Sequence, residues 1–345
     1  MASNQKILSG NEAAVLGAKA AGADIMFGYP ITPATEILEG WVKETLKDKS
    51  LKYLQTEDET SAGFAVIGSI AAGVKAFTAT AGPGNVLMQD PISMAENLRL
   101  PFVGIIMQRG GPSTGTVNFS QQEVNLTAFG GNGDGLRIVY SASSIEDMYN
   151  LVIKAFNSAW KYRFPTFVLG DGYLGKMRTK VSILKPLKNI KSQPILKEQI
   201  SPTYLRNCYS SEESFGKILN KNIMDWELNK NKIIESESYR VSDAEEVILA
   251  HGLVAAAAKE AVDQMRSENK RVGLFRPITL NPFDTRALRN LLNKVKVAHL
   301  FESSRNQFAH IVKYEAYGIK TPIIEHSKPA EGITAEEIVS AMERM

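Results

Sequence analysis

The strongest constraint in this sequence is a rhythm. Over residues 10–175, stretches with helical spacing of apolar residues alternate with short apolar or β-branched runs. Helical patterns lie near 11–21, 33–47, 58–72, 86–98 and 144–160, and strand patterns near 24–28, 51–55, 75–80, 102–107, 136–140 and 165–169. Strands alternating with helices imply βαβ units, and those imply a parallel, doubly wound sheet. The rhythm breaks over 181–243, a stretch rich in Lys, Asn, Ser and Glu that carries Pro186, Pro194 and Pro202. Apolar patches such as 215–219 mark this stretch as an ordered excursion. The rhythm resumes with strand patterns at 246–250, 272–275 and 295–300, helical ones at 254–265 and 285–292, and a last helix from Thr334. The expected class is α/β, with two doubly wound parallel-sheet domains. They span 1–180 and 244–345, joined by an excursion over 181–243.

Composition mainly excludes. A single cysteine, Cys208, forms no internal disulfide and suits a cytosolic location. One thiol cannot supply the roughly four that an iron–sulfur cluster takes, nor a cysteine-rich zinc site. Any electron carrier is therefore organic or sits on another chain. A net charge of +3, with no basic run interleaved with aromatics, argues against nucleic acid. No segment reaches the roughly 18 apolar residues of a membrane helix, and the residues from Met1 to Lys6 lack the core of a secretory signal. The four histidines show no metal-ligand spacing, so no metal site is expected. His251, at a strand end, reads as a satisfied, partly buried histidine.

In open parallel sheets, ligands bind beyond the carboxyl ends of the strands, and three clusters fall there. In Gly28-Tyr29-Pro30-Ile31-Thr32-Pro33, Pro33 opens a helix, and Thr32 either caps it or faces a ligand; the spacing favours the cap. In Gln55-Thr56-Glu57-Asp58-Glu59, Thr56 and Glu59 fit a capping box. Glu59 also leads the apolar helix face of Ala62, Gly63, Val66 and Ile67, which makes it the best acid for a buried pocket. In Gln108-Arg109-Gly110-Gly111, an arginine at the end of an apolar strand presents a fork to a carboxylate or forms a surface ion pair. The Gly111-Pro112-Ser113-Thr114-Gly115 match to a nucleophile elbow lacks the helix that must follow the serine. Ala81-Gly82-Pro83-Gly84 is neither a dinucleotide fingerprint nor a P-loop, though its backbone can approach a ligand. Gly133-Asp134-Gly135 and Gly170-Asp171-Gly172 read as turns, and no Asn-Asn pair accompanies them.

Taken together, these segments resemble the α subunits of 2-oxoacid:ferredoxin oxidoreductases. The resemblance rests on Gly28 through Pro33, Glu57-Asp58-Glu59, Thr78 through Gly84, and Gln108 through Gly115. The stretch from Ser120 to Arg137 is similar to the branched-chain, 2-oxoisovalerate type in particular. Ala250-His251-Gly252 and Arg276-Pro277-Ile278-Thr279-Leu280 carry the likeness into the second domain, where Asn281-Pro282-Phe283-Asp284 departs from the family's usual Trp-Pro-Phe-Pro. The resemblance implies a pyrimidine-binding domain followed by a transketolase-C-like one. It implies that Glu59 hydrogen-bonds the aminopyrimidine of thiamine diphosphate, that Pro30, Ile31, Gly82 and Pro83 line the cofactor, that Arg109 grips the substrate carboxylate, and that Thr32 stands near the substrate. It places the diphosphate and Mg²⁺ on a β subunit and the iron–sulfur clusters on partner subunits. The implied assembly is a hetero-oligomer with γ and ferredoxin-like subunits that works with ferredoxin and coenzyme A. The implied reaction is oxidative decarboxylation of 3-methyl-2-oxobutanoate to acyl-CoA and CO₂; pyruvate or 2-oxoglutarate is the alternative substrate. A non-catalytic assembly subunit is the reading from another class.

Overall fold

Residues 4–183, 189–196 and 205–344 are described by a computed structural model; Pro186, Pro202 and the first three residues lie outside them. The first part runs β1 (Asn4–Ser9), α1 (Gly10–Ala20), β2 (Ile25–Gly28), α2 (Thr35–Lys47), β3 (Lys52–Gln55), α3 (Glu59–Ala71), β4 (Ala76–Thr80), α4 (Pro83–Leu87), α5 (Gln89–Asn97), β5 (Val103–Gln108), α6 (Val124–Phe129), β6 (Ile138–Ser141), α7 (Ile145–Tyr162), β7 (Thr166–Asp171), α8 (Gly172–Lys176) and β8 (Arg178–Ile183). Then come α9 (Glu212–Lys230), β9 (Ser236–Tyr239), β10 (Glu246–Leu249), α10 (Gly252–Ser267), β11 (Val272–Pro277), β12 (Thr279–Asn281), α11 (Thr285–Leu292), β13 (Val297–Glu302), α12 (Phe308–Glu315), β14 (Ile323–Ser327) and α13 (Ala335–Glu343).

The expected parallel sheets are present, each with an antiparallel strand at one edge. The first has the order β12-β6-β7-β5-β4-β2-β3, and β12 runs against β6. The second has the order β14-β13-β10-β11-β9, and β9 runs against β11. Central strands are buried along their whole length, β4, β5 and β7 among them, as both-face coverage by helices requires. At the far edge β3 is exposed throughout. β1 and β8 pair antiparallel as a separate ribbon, so the first unit closes on its own start.

Three apolar clusters hold these layers. The first joins α1, α2 and α7 to one face of the first sheet, with Trp41, Phe77 and Phe156 packed edge-to-face at 5.0 and 5.8 Å. Ser144 caps α7 by accepting from Asp147 N, and Arg163 ends it in the left-handed region. The second cluster lies under α3 and α5 and continues into α11 and α12 of the second sheet. Burial is therefore continuous between the two sheets. The third joins α10 and α13. Within the excursion, α9 sets Trp226 against Phe164 and Asp225 against Arg99, at the amino end of the first sheet.

Glu302, at the end of β13, is fully buried. Its carboxylate accepts from Asn306 N, Gln307 N, Phe308 N, Ala309 N and Ser304 Oγ at 2.6–3.4 Å. It thereby satisfies the amides that open α12. Glu302→Ala leaves those amides buried and unpaired, so the melting temperature should fall by roughly 5–10 °C in a thermal scan.

Candidate active site

Strands β5, β4, β2 and β3 are neighbours and end at one edge. The winding of the chain reverses between β2 and β4, which opens a crevice there. Each strand hands over to a segment carrying expected site residues: Arg109 after β5, Gly82 and Pro83 after β4, Pro30 to Thr32 after β2, and Glu59 after β3.

Asp58, not Thr56, caps α3. Its carboxylate accepts from Ser61 N at 2.6 Å, while Thr56 Oγ1 donates to the Asp58 carbonyl. The capping box expected from Thr56 and Glu59 does not form, because the acid two residues nearer the helix takes the cap. Glu59 is released to turn inward and is only 5% exposed. Burial raises its pKa above the usual carboxylate value, and the neighbouring Asp58 charge adds to the rise. A Cβ on Gly84 would lie 2.5 Å from Glu59 Oε1 and 2.1 Å from Thr80 Oγ1, so only glycine leaves room for this carboxyl. Thr80 Oγ1 is buried without a hydrogen-bond partner.

Arg109 is equally buried, so the surface ion pair does not form. Its Nη1 donates to the Thr32 carbonyl at 2.7 Å and its Nε has no partner. Thr32 does not cap α2: the helix starts at Thr35, two residues later than expected, with Ala34 as an N-cap that makes no side-chain bond. Thr32 contributes its carbonyl to the arginine instead. Gly82 takes φ +50°, and a Cβ there would sit 2.6 Å from Arg109 Nε. Glu59, Gly82, Arg109 and Thr32 are thus brought together. Pro83 starts α4, Ile31 packs on the first cluster, and Pro30 is exposed.

Sequence reasoning passed over Glu123 as an individual residue. Its Oε1 accepts from Gly82 N at 2.8 Å and from Arg109 N at 3.0 Å, and its Oε2 from Asn85 Nδ2 at 3.0 Å. Burial raises its pKa against the pull of these donors. Its only local signal was an acid ahead of a short apolar run. Among the decoys, Ser113 stands exposed in a loop. The Gly170-Asp171-Gly172 segment is a strand-to-helix junction, not a free turn. Asp171 caps α8 through Leu174 N, and burial pushes its pKa up to about 7.

A buried carboxyl and a buried guanidinium, facing one crevice at the carboxyl edge of a parallel sheet, are the arrangement of an α/β enzyme subunit. Comparison with known proteins gives the family. Residues 16–248 match the thiamine-diphosphate-binding domain of pyruvate flavodoxin/ferredoxin oxidoreductases, and residues 244–342 match pyruvate:ferredoxin oxidoreductase core domain II. The ketoisovalerate oxidoreductase subunit VorB of Methanothermobacter marburgensis is 35% identical, covering 83% of this chain and 82% of its own. The 2-oxoglutarate synthase subunit KorA of Methanocaldococcus jannaschii is 36% identical, with coverages of 84% and 86%. A solved 2-oxoglutarate:ferredoxin oxidoreductase from Magnetococcus marinus, with 2-oxoglutarate, coenzyme A and succinyl-CoA bound, superposes with a TM-score of 0.87 at 26% identity; the match covers 99% of this chain but 65% of that one. The chain belongs to this family and is a 2-oxoacid:ferredoxin oxidoreductase subunit. The family uses thiamine diphosphate and iron–sulfur clusters. Among the described residues no helix is long and apolar enough to cross a membrane.

The residues present fit the pyrimidine half of that cofactor. Glu59 is held by burial toward its protonated form, Thr80 Oγ1 is an unused hydroxyl, and Gly84 leaves the space beside both. The raised Glu59 pKa also sets a stability test. Folding disfavours the ionised carboxyl, so its unfavourable contribution is absent below the unfolded pKa and grows as pH rises toward the folded one. Glu59→Gln should therefore melt like the parent near pH 4 and above it at pH 7–8. Equal melting temperatures at both pH values would contradict the burial.

Proposed function

We propose that this chain supplies the pyrimidine-side half of a thiamine-diphosphate site in a multi-subunit enzyme that oxidatively decarboxylates a 2-oxoacid, with a branched-chain acid such as 3-methyl-2-oxobutanoate as substrate. The observation that carries the reading is Arg109: a buried guanidinium with an unpartnered Nε, fixed next to Glu59 at the winding reversal. A guanidinium with spare donors in a dry site is suited to a carboxylate. Bound thiamine diphosphate supplies the electron sink for decarboxylation. The chain's own residues do the rest. Glu59 holds a proton or a hydrogen bond at its carboxyl against the ring. Arg109 orients the acid, with its fork steadied by the Thr32 carbonyl. Gly82 and Gly84 keep the floor free of side chains.

The partner's share follows from what this half lacks. Tyr29, Leu54, Phe64, Val86 and Leu87 are exposed on the segments and strands around the crevice, a surface apolar enough to need covering. A β subunit carrying the diphosphate and Mg²⁺ is the partner this surface suits, with clusters, ferredoxin and coenzyme A served by the rest of the assembly. The branched-chain choice is supported by the 120–137 stretch and by the ketoisovalerate relative. The 2-oxoglutarate relative is as similar, so the same reaction on 2-oxoglutarate stands as the second reading.

The test is reconstitution. The chain with its co-encoded partners should reduce viologen only when 2-oxoacid and coenzyme A are both supplied, and the chain alone should be inactive. In that complex Glu59→Gln should abolish turnover while assembly survives; near-parental activity would refute the role. Arg109→Met should raise KM for the 2-oxoacid about 100-fold or more, since a charge-assisted pair is worth roughly 3 kcal/mol; an unchanged KM would sink the assignment.

A further inference from the structure

Glu123 sits immediately before α6, and both its carboxylate oxygens serve the crevice, so the placement of α6 decides the placement of Arg109. On the amino side, Gln121 Nε2 donates to the His251 carbonyl at 2.8 Å, and its Oε1 accepts from Ser303 N at 2.9 Å. The Gln121 amide also donates to the Ser303 carbonyl at 3.1 Å. One turn on, Asn125 N donates to Gln307 Oε1 at 3.0 Å and Asn125 Nδ2 to the Asn306 carbonyl at 3.2 Å. At the other end, Asn281 Nδ2 donates to the carbonyls of Ala128 and Gly135 at 3.1 and 2.9 Å. His251, Ser303, Asn306 and Gln307 follow strands of the second sheet, and Asn281 lies on β12, which the chain adds to the edge of the first sheet directly after β11.

The place of these contacts matters. Between β10 and β13 the second sheet reverses its own winding, which is where an α/β domain ordinarily takes its ligand. Here the 120–122 segment of the first domain fills that position. We infer that Gln121 and Asn281 are positioning residues for substrate binding. Through α6 they fix Glu123, Glu123 fixes the backbone of Arg109, and the second domain thereby sets 2-oxoacid affinity in the first. The inference rests on the reading of Arg109 as the carboxylate's partner. It adds that the Asn281 departure from the family pattern bears on the site.

The experiment uses the assembled complex and separates substrate affinity from general loosening. Gln121→Ala and Asn281→Ala should each raise KM for the 2-oxoacid about tenfold through small misplacement of the arginine, with KM for coenzyme A unchanged and kcat within about twofold. Asp147→Asn removes the charge from the contact of Asp147 with Arg276 and weakens it, another tie between the domains that does not touch α6. It should lower the melting temperature and leave both KM values alone. If Gln121→Ala fails to assemble, Gln121→Glu keeps the Ser303 contact and loses the His251 one, and it should show an intermediate KM. A normal parent complex whose Gln121 and Asn281 variants keep the parental KM overturns the inference. Equal KM rises in Asp147→Asn overturn it too, because any domain tie would then serve. A parent without 2-oxoacid-dependent reduction overturns the functional reading and takes this inference with it; the parent's own activity tells the two failures apart.

Discussion

Glu123 is buried, and one of its carboxylate oxygens decides where two strand ends lie. Gly82 N follows β4 and Arg109 N follows β5, and a single oxygen accepts from both. Without that acceptor, two amides at the ends of buried strands would lack partners, each costing on the order of 1–3 kcal/mol. Burying a carboxylate is itself unfavourable, as its raised pKa records. The arrangement therefore adds little net stability. What it gives is position: Gly82 is fixed with φ +50° against Arg109, and Asn85 is tied to the same group.

Buried charge alone does not separate site from scaffold here. Glu302 and Arg137 are at least as buried as Glu59 and Arg109. Glu302 accepts from four backbone amides and a hydroxyl, and Arg137 bonds Glu96, Gln89 and the carbonyls of Thr127 and Gly130. Their capacity is spent inside the chain. Arg109 keeps an unused Nε, and Thr80 beside Glu59 keeps an unused hydroxyl. Other buried groups are unpaired too, Arg276 Nε, Trp160 Nε1 and His251 Nε2 among them, so spare capacity points to a binding group only where it lies at the crevice.

The alternation of patterns made both sheets legible, and strand-end position pointed to Glu59 and Arg109 before any coordinates did. What spacing could not resolve was competition among near neighbours. Spacing offered Thr56 as the cap, and the Asp58 cap that forms instead freed Glu59 for the crevice. Proline at 33 suggested a helix start, yet the Thr32 carbonyl is held by an arginine 77 residues away and the helix waits until Thr35. The edge strands β9 and β12 run to four and three residues, too short for a period-2 pattern to stand out. Glu123 was invisible for the same long-range reason: its partners lie 14 to 41 positions away, and nothing local announces them.

The second domain has the architecture of a ligand-binding fold and uses its natural crevice to hold another part of its own chain. His251 shows how firmly. Its Nδ1 pairs with Ser141 Oγ at 3.0 Å, its ring lies against Phe308, and burial pushes its pKa down to about 3. Burial keeps the ring neutral near pH 7, so that contact does not depend on its titration there. All three shifts favour the neutral form, as desolvation requires: His251 at the dock between the domains, and Glu59 and Glu123 in the first of them.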